Sequence, residues 1–267
     1  MKKKKQGISM IVTIIIVSIV IICIGLIVYF LFNKNSSKKD GNSSSKVSTD
    51  NTTDDVVDIS KYVYDDNPDG KTLTIFYSNG ISVSEEKAKI LDIPSEIDGK
   101  TVTEIGKDGF CFLKNIEEVI IPNTVEKIGE NAFLGDEKLK NITLSEGVKE
   151  IGDMCFGENT SLTEINLPSS LKVIPVGAFS NCSSLEKITI PEGVERIEAT
   201  AFFACENLKE IHIPSSVTFI QNDSEEASSA FGTFSTESGI INVTIYAPKG
   251  SYAEKYAKQE NIKFVAE

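Results

Sequence analysis

The sequence has almost none of the residues on which enzymes most often rely. It contains one histidine, His212, and no tryptophan. A serine, histidine and aspartate triad needs a histidine base, and protein zinc sites draw on clustered histidines and cysteines. HExxH, GxSxG, P-loop and CxxC motifs are also absent from the sequence. We therefore expect no enzymatic activity, no metal site and no other cofactor.

Basic residues are in the minority. Lys and Arg number 27 against 39 Asp and Glu, which gives a formal net charge of −12 at pH 7. Nucleic-acid backbones are bound by clustered Lys and Arg, so we expect no nucleic-acid partner.

Only one long apolar run is present, from Ile8 to Phe32, and it follows the basic segment MKKKKQG. As a helix this run would be about 37 Å long, enough to cross a hydrocarbon core of about 30 Å. It has no small-residue cleavage site and is longer than the apolar core of a cleaved signal peptide. We predict a single transmembrane signal anchor at residues 8–32. The basic tail, residues 1–7, is expected on the cytoplasmic side of the cell membrane, with the rest of the chain extracellular.

Residues 33–55, NKNSSKKDGNSSSKVSTDNTTDD, contain almost no apolar side chain. Such a segment cannot bury enough surface to fold, so we predict a disordered linker.

A 23-residue repeat dominates the following part of the chain. Apolar residues recur in six in-register columns. These columns are Ile116, Leu139, Leu162, Leu185 and Leu208; Val119, Ile142, Ile165, Ile188 and Ile211; Ile121, Leu144, Leu167, Ile190 and Ile213; Val125, Val148, Leu171, Val194 and Val217; Ile128, Ile151, Ile174, Ile197 and Ile220; and Phe133, Phe156, Phe179 and Phe202. One unit is too small to bury its own apolar face, so we predict a solenoid in which stacked units share one core.

The repeated order I/L-x-I/L-P-x-x-V-x-x-I-G-x-x-A-F-x-x-C-x-x-L-x-x-I resembles the BspA-like leucine-rich repeats of bacterial surface proteins. The resemblance covers about Ile93 to Ile220. Ser145 and Pro175 depart from the pattern, and QNDSEEASS is inserted after Ile220. The resemblance implies a leucine-rich-repeat solenoid, mainly β, with short parallel strands and short helical turns.

Both flanks of the repeats have the character of caps. Residues 56–92 contain a hairpin pattern and are predicted to form an N-terminal β cap, followed by leucine-rich repeats at residues 93–240. Residues 241–267 are predicted to form a C-terminal cap with a short helix. This helix starts with a capping box of Ser251 and Glu254, and Glu254 is spaced to pair with Lys258.

Two smaller patterns have a structural and a functional interpretation. Asp65, Asn67, Asp69 and Gly70 match the start of a calcium loop, but Phe76 stands where the loop needs a glutamate, which favours a tight turn. Cys182 and Cys205 share a column one period apart, and the spacing of neighbouring strands permits a disulfide between them. Two buried free thiols are the favoured interpretation. Cys155 occupies a small inward column.

The outward strand positions need not serve the core, so they form either a solvated sheet face or a ligand-binding surface. These hypothetical ligand-binding residues are Glu118, Ile120, Asn141, Thr143, Glu164, Asn166, Lys187, Thr189, Glu210 and His212. The family resemblance implies adhesion or protein–protein binding, with an extracellular protein or surface macromolecule as the partner. The alternative is a cell-wall-associated structural or glycan-binding module without catalysis. Glycan binding predicts exposed aromatic residues stacked along one face, and the outward strand positions contain none.

Overall fold

The computed structural model describes residues 55–57, 62–77, 88–222, 229–233 and 239–267. The predicted anchor at residues 8–32 lies outside the described residues, as does the predicted linker except for Asp55. Within the described ranges, no helix combines the length and apolar character needed to cross a membrane. The backbone oxygen of Asp55 already accepts hydrogen bonds from the N–H groups of Lys89 and Ile90, at 2.7 and 2.8 Å.

Short strands make up most of the described secondary structure. In chain order they are β1 (Tyr62–Asp66), β2 (Thr72–Tyr77), β3 (Ile90–Asp92), β4 (Glu96–Ile97), β5 (Lys100–Ile105), β6 (Glu118–Ile120), β7 (Lys127–Ile128), β8 (Asn141–Thr143), β9 (Glu150–Ile151), β10 (Val173–Ile174), β11 (Lys187–Thr189), β12 (Arg196–Ile197), β13 (Glu210–His212), β14 (Phe219–Ile220), β15 (Thr244–Ala247) and β16 (Lys263–Ala266). The helix α1 (Tyr252–Gln259) lies between β15 and β16.

The strands of the repeats form two series of parallel ladders. The first ladder has the orders β3-β6-β8 and β11-β13-β15-β16. The second ladder has the orders β1-β2-β5-β7-β9 and β10-β12-β14, and its outermost strand β1 is antiparallel to β2. Strand partners occupy equivalent positions of successive repeats, as in Val119 with Ile142 and Ile128 with Ile151. The repeat therefore sets the backbone register directly, as expected of a solenoid.

One repeat departs from the predicted strand pattern. Glu164 to Asn166 form no strand, and only an isolated bridge joins Thr143 to Asn166. The second ladder is interrupted at the same junction, between β9 and β10. Glu and Asn are disfavoured in strands, and here they occupy both outward positions of one unit. The coil remains in register through its other contacts.

The predicted columns form the core. Every column residue is buried except Leu167, which is partly buried against the core. The phenylalanine column extends to both sides, from Phe110 to Phe231, with neighbouring ring centroids 5.5–5.8 Å apart and near-parallel rings. Tyr62 and Tyr256 terminate this stack at 5.9 and 6.0 Å, with rings at 83° and 57° to their neighbours. Consecutive coils are therefore joined by a continuous aromatic column.

The turn before the repeats and the helix after them are both held by local hydrogen bonds. The turn between β1 and β2 is held by Asp69, whose Oδ1 accepts from the N–H groups of Lys71 and Thr72 at 2.8 and 2.9 Å, and Gly70 has a φ of 65°. The predicted tight turn is thus confirmed. At the other end, the Ser251 side chain caps α1 by accepting from the Glu254 N–H at 3.2 Å, while Glu254 accepts from Gly250 rather than from Ser251. The predicted pair of Glu254 and Lys258 is confirmed, with its N and O atoms 2.6 Å apart.

A second internal column consists of polar side chains. Asp136, Asn159, Cys182 and Cys205 occupy the same position of successive repeats and are all buried. Asn159 Nδ2 donates to the Phe133 oxygen at 3.0 Å, and the thiols of Cys182 and Cys205 donate to the Phe156 and Phe179 oxygens at 3.1 and 3.0 Å. Each of these three side chains donates a hydrogen bond to a backbone carbonyl oxygen of the preceding coil. Both cysteines are free thiols, as is Cys155.

Asp136 is the exception in this column. Its Oδ1 accepts from the Leu113 N–H at 2.6 Å, whereas its Oδ2 is buried and has no hydrogen-bond partner among the described residues. Burial raises the pKa of the Asp136 carboxyl well above its ordinary value, and the Leu113 N–H offsets this only in part. The folded chain therefore keeps this proton to a higher pH than the unfolded chain does.

We predict that the buried phenylalanine column is a main source of stability. Phe179→Ala removes a fully buried ring between Phe156 and Phe202 and should reduce the free energy of unfolding by about 3–5 kcal/mol. Thr189→Ala, at an exposed position of the first ladder, should cost less than about 0.5 kcal/mol. Chemical denaturation of both variants measures the difference, and equal losses would mean that the inward and outward positions are misassigned.

Asp136→Asn is expected to stabilise the fold at neutral pH. Below about pH 4 the carboxyl is protonated in both the folded and the unfolded chain. As the pH rises, the unfolded chain ionises first because the folded-state pKa is raised, so the wild type loses stability. The amide cannot ionise, so the variant should exceed the wild type by about 1–3 kcal/mol at pH 7 and by less at pH 4. Thermal unfolding from pH 4 to pH 8 tests this, and a pH-independent difference would contradict it.

Candidate binding face

Eight of the ten predicted ligand-binding residues lie in strands of the first ladder, while Glu164 and Asn166 lie between β8 and β11, where a single bridge joins Asn166 to Thr143. Backbone register places Glu118 beside Asn141 and Ile120 beside Thr143. In the later coils it places Lys187 beside Glu210 and Thr189 beside His212. The ten residues therefore form two columns, which we call the binding face.

The outward direction of these side chains follows from strand alternation. Between the two columns lie Val119, Ile142, Ile165, Ile188 and Ile211, all of which are buried. Side chains alternate between faces along a strand, so their neighbours point away from the core. Eight of the ten are exposed, and Glu118 and His212 are half-buried. None of the ten is needed to fill the core.

The C-terminal cap extends the binding face beyond the predicted residues. Strand β15 pairs with β13 and places Thr244 beside Glu210 and Tyr246 beside His212. Strand β16 then adds Lys263. The ten predicted positions contain no phenylalanine, tyrosine or tryptophan, whereas the position that pairs with His212 in β15 is Tyr246. The repeat period does not reveal Tyr246, because the insertion after Ile220 moves it out of register in the sequence. The alternation in VTIYAP was the available signal.

His212 has more contacts than an isolated surface histidine. Its ring stacks on the Tyr246 ring, with centroids 4.8 Å apart and an interplanar angle of 15°. Its Nδ1 lies 3.1 Å from the carboxylate oxygen Oε2 of Glu267. The side chain nevertheless remains 37% exposed. The two rings and the carboxylate form the one aromatic cluster of the described binding face.

Charges are arranged differently in the two halves of the repeat region. In the first coils, lysines and glutamates pair across neighbouring units, as in Lys140 with Glu117 at 2.7 Å and Lys149 with Glu126 at 2.8 Å. The hydrogen bond from Lys140, together with the charges of Lys140 and Lys89, lowers the pKa of the Glu117 carboxyl. Across the described residues, Glu164 and Glu210 have no hydrogen bond or ion pair through their side chains. Their carboxylates are available to a partner.

The described residues contain no group of three or more His, Cys, Asp or Glu side chains suited to a metal ion. Asp65 lies in β1, while Asn67 and Asp69 hydrogen-bond within the turn and to neighbouring strands. The calcium interpretation therefore has no support from this geometry.

Family comparison identifies the repeats. Residues 103–231 match the family model described as BspA type Leucine rich repeat region, in six copies. Residues 10–80 match a family of unknown function (DUF5385). A comparison with curated protein sequences gives no match.

Two solved structures are similar to this chain. The T. pallidum Leucine Rich Repeat protein (TpLRR) is 25% identical with a TM-score of 0.60, over 78% of this chain and 97% of that chain. The pneumococcal vaccine antigen PcpA is 24% identical with a TM-score of 0.54, over 73% of this chain and 50% of that chain. The second likeness concerns the fold alone. With the family match, these likenesses identify the fold as a leucine-rich-repeat solenoid.

Proposed function

Since residues 103–231 of this chain are a BspA-type leucine-rich-repeat region, we propose that the protein binds another macromolecule at the cell surface through the binding face. The role is protein–protein binding or adhesion, without catalysis. The observation that carries this proposal is the pair of outward columns on the first ladder. The same outward positions recur in successive coils, and their side chains do not contribute to the core. Repeats of this type are typical of binding modules rather than of enzymes.

The second candidate function is a cell-wall-associated module that binds glycans. It is favoured by one observation, the stacked pair of Tyr246 and His212, since aromatic rings are common contacts for sugars. A glycan array and a pull-down from surface-protein extracts, both with the full chain, separate the two functions. Specific retention on the array without protein capture would favour the glycan-binding module.

We also propose that residues 8–32 anchor the protein in the cell membrane by a single helix, with residues 1–7 in the cytoplasm and the repeats outside. The support is the unbroken apolar run from Ile8 to Phe32, which directly follows the lysines Lys2–Lys5 and the segment QG. In this arrangement residues 33–55 act as a tether, which as a flexible coil would span about 25 Å.

The anchor predicts that the mature protein keeps its N-terminus and fractionates with membranes. Protease added to intact cells should remove the repeats, whereas a cytoplasmic marker protein should survive. N-terminal sequencing and fractionation measure this. A mature chain that begins after residue 32 and is found in the medium would overturn the proposed anchor.

Partner binding is predicted to depend on the charged column of the binding face. Charge reversal at Glu164 and Glu210, combined with Lys187→Glu, should reduce partner capture at least about tenfold, because several contacts are changed together. The melting temperature should change little, since all three side chains are exposed. Replacement of residues 223–228 by a glycine–serine segment of the same length is the comparison, because it keeps Phe231 and the phenylalanine column. If the triple variant still binds and this replacement does not, the site lies in the insertion.

A further inference from the structure

The ring of His212 on the first ladder has a counterpart on the second ladder, the ring of Phe219. There the guanidinium carbon of Arg196 lies 4.1 Å from the centroid of the Phe219 ring. The Nε of Arg196 also donates to Glu198 at 2.7 Å. The arginine is thus held between an aromatic ring in the next coil and a carboxylate just beyond the end of its own strand.

The register shows which residue occupies the arginine position on the first ladder. Arg196 is the strand partner of Phe219, and Thr189 is the strand partner of His212. The binding face therefore has an aromatic ring with a short threonine beside it, where the second ladder has a ring with an arginine beside it. Thr189 is exposed and supplies no cation.

The carboxylates near the His212 ring are placed differently from Glu198, because residue 191, two positions after Thr189, is a proline. Glu210 lies at the start of β13, which ends at His212; it is exposed and forms no side-chain ion pair or hydrogen bond among the described residues. Lys187 is its strand neighbour, but no salt bridge joins the two side chains. Glu267 lies at the ring edge, with its carboxylate 3.1 Å from Nδ1 of His212.

From this correspondence we propose that the binding face recognises an arginine side chain of a partner protein, seated over Thr189 against the His212 ring. A guanidinium is planar, stacks on aromatic rings and donates two parallel hydrogen bonds to a carboxylate. In this site the ring of His212, supported by Tyr246, supplies the stacking surface, and Glu210 supplies the acceptor. The inference rests on the proposed function and specifies the partner as a protein segment that presents arginine.

His212 gives a direct measurement because it is the sole histidine of the sequence. The full chain is labelled with ¹³C-histidine, solubilised in detergent at about 0.15 M salt, and titrated with a tetra-arginine peptide while the imidazole signals are recorded. We expect a saturable shift of these signals. A tetra-lysine peptide of the same charge should bind roughly two- to fivefold more weakly, since lysine lacks the planar stacking group.

Three variants identify the position. Thr189→Arg places the chain's own guanidinium beside His212 and should weaken peptide binding at least about tenfold, whereas Thr143→Arg, two coils away in the same column, should not. Glu210→Gln should weaken binding by about two- to tenfold because the charged acceptor is removed.

The outcomes separate this inference from the proposed function. Equal affinity for the arginine and lysine peptides, or full binding by a folded Thr189→Arg variant, overturns the arginine site. If Thr189→Arg still captures the natural partner while the triple charge variant does not, the binding face stands and the arginine site fails. If neither change affects partner capture, the proposed function of this face fails as well.

Discussion

Stacking of coils is the constraint on which the rest of this structure depends. A single unit buries too little apolar surface to be stable alone. The stabilisation from that burial is much smaller than the conformational entropy cost of ordering its backbone and side chains. Only contact with neighbouring units closes this difference, through the phenylalanine column, the parallel ladders and the buried polar column. Each coil must therefore repeat the inward residues of the previous one.

The same constraint explains how much of the fold could be predicted from the sequence. Inward positions recur because each contacts its own copy in the next coil, so Phe156, Phe179 and Phe202 reveal both the period and the core. Strand formation depends on weaker residue preferences, so the recurrence of apolar columns did not predict the loss of the strand at Glu164–Asn166. Backbone strain is equally hard to foresee. Met154 and Thr200 have φ values of 55°, the left-handed region that Asn131 and Gly177 enter more readily in the same column.

The candidate site was predicted in part. Strand alternation identified the ten outward residues of the repeats because orientation follows from the position of the buried residue between them. It did not identify Tyr246 or Glu267, whose approach to His212 depends on how the C-terminal cap continues the ladder. Nor does a sequence period indicate which surface charges are paired. Lys140 reaches Glu117 across one coil, whereas Lys187 and Glu210 are equally spaced and remain apart.

The insertion after Ile220 shows that spatial columns, rather than a fixed sequence period, control this architecture. The insertion separates Phe231 from Phe202 by more than one period, yet their ring centroids are 5.5 Å apart, the same distance as between Phe179 and Phe202. The stack continues from Phe202 to Phe231, and the ladder resumes at β15. Core and outward positions are therefore under separate constraints. A substitution at Thr189 or Glu210 changes the outward surface without changing any contact of the phenylalanine column, so this surface can diverge while the solenoid is kept.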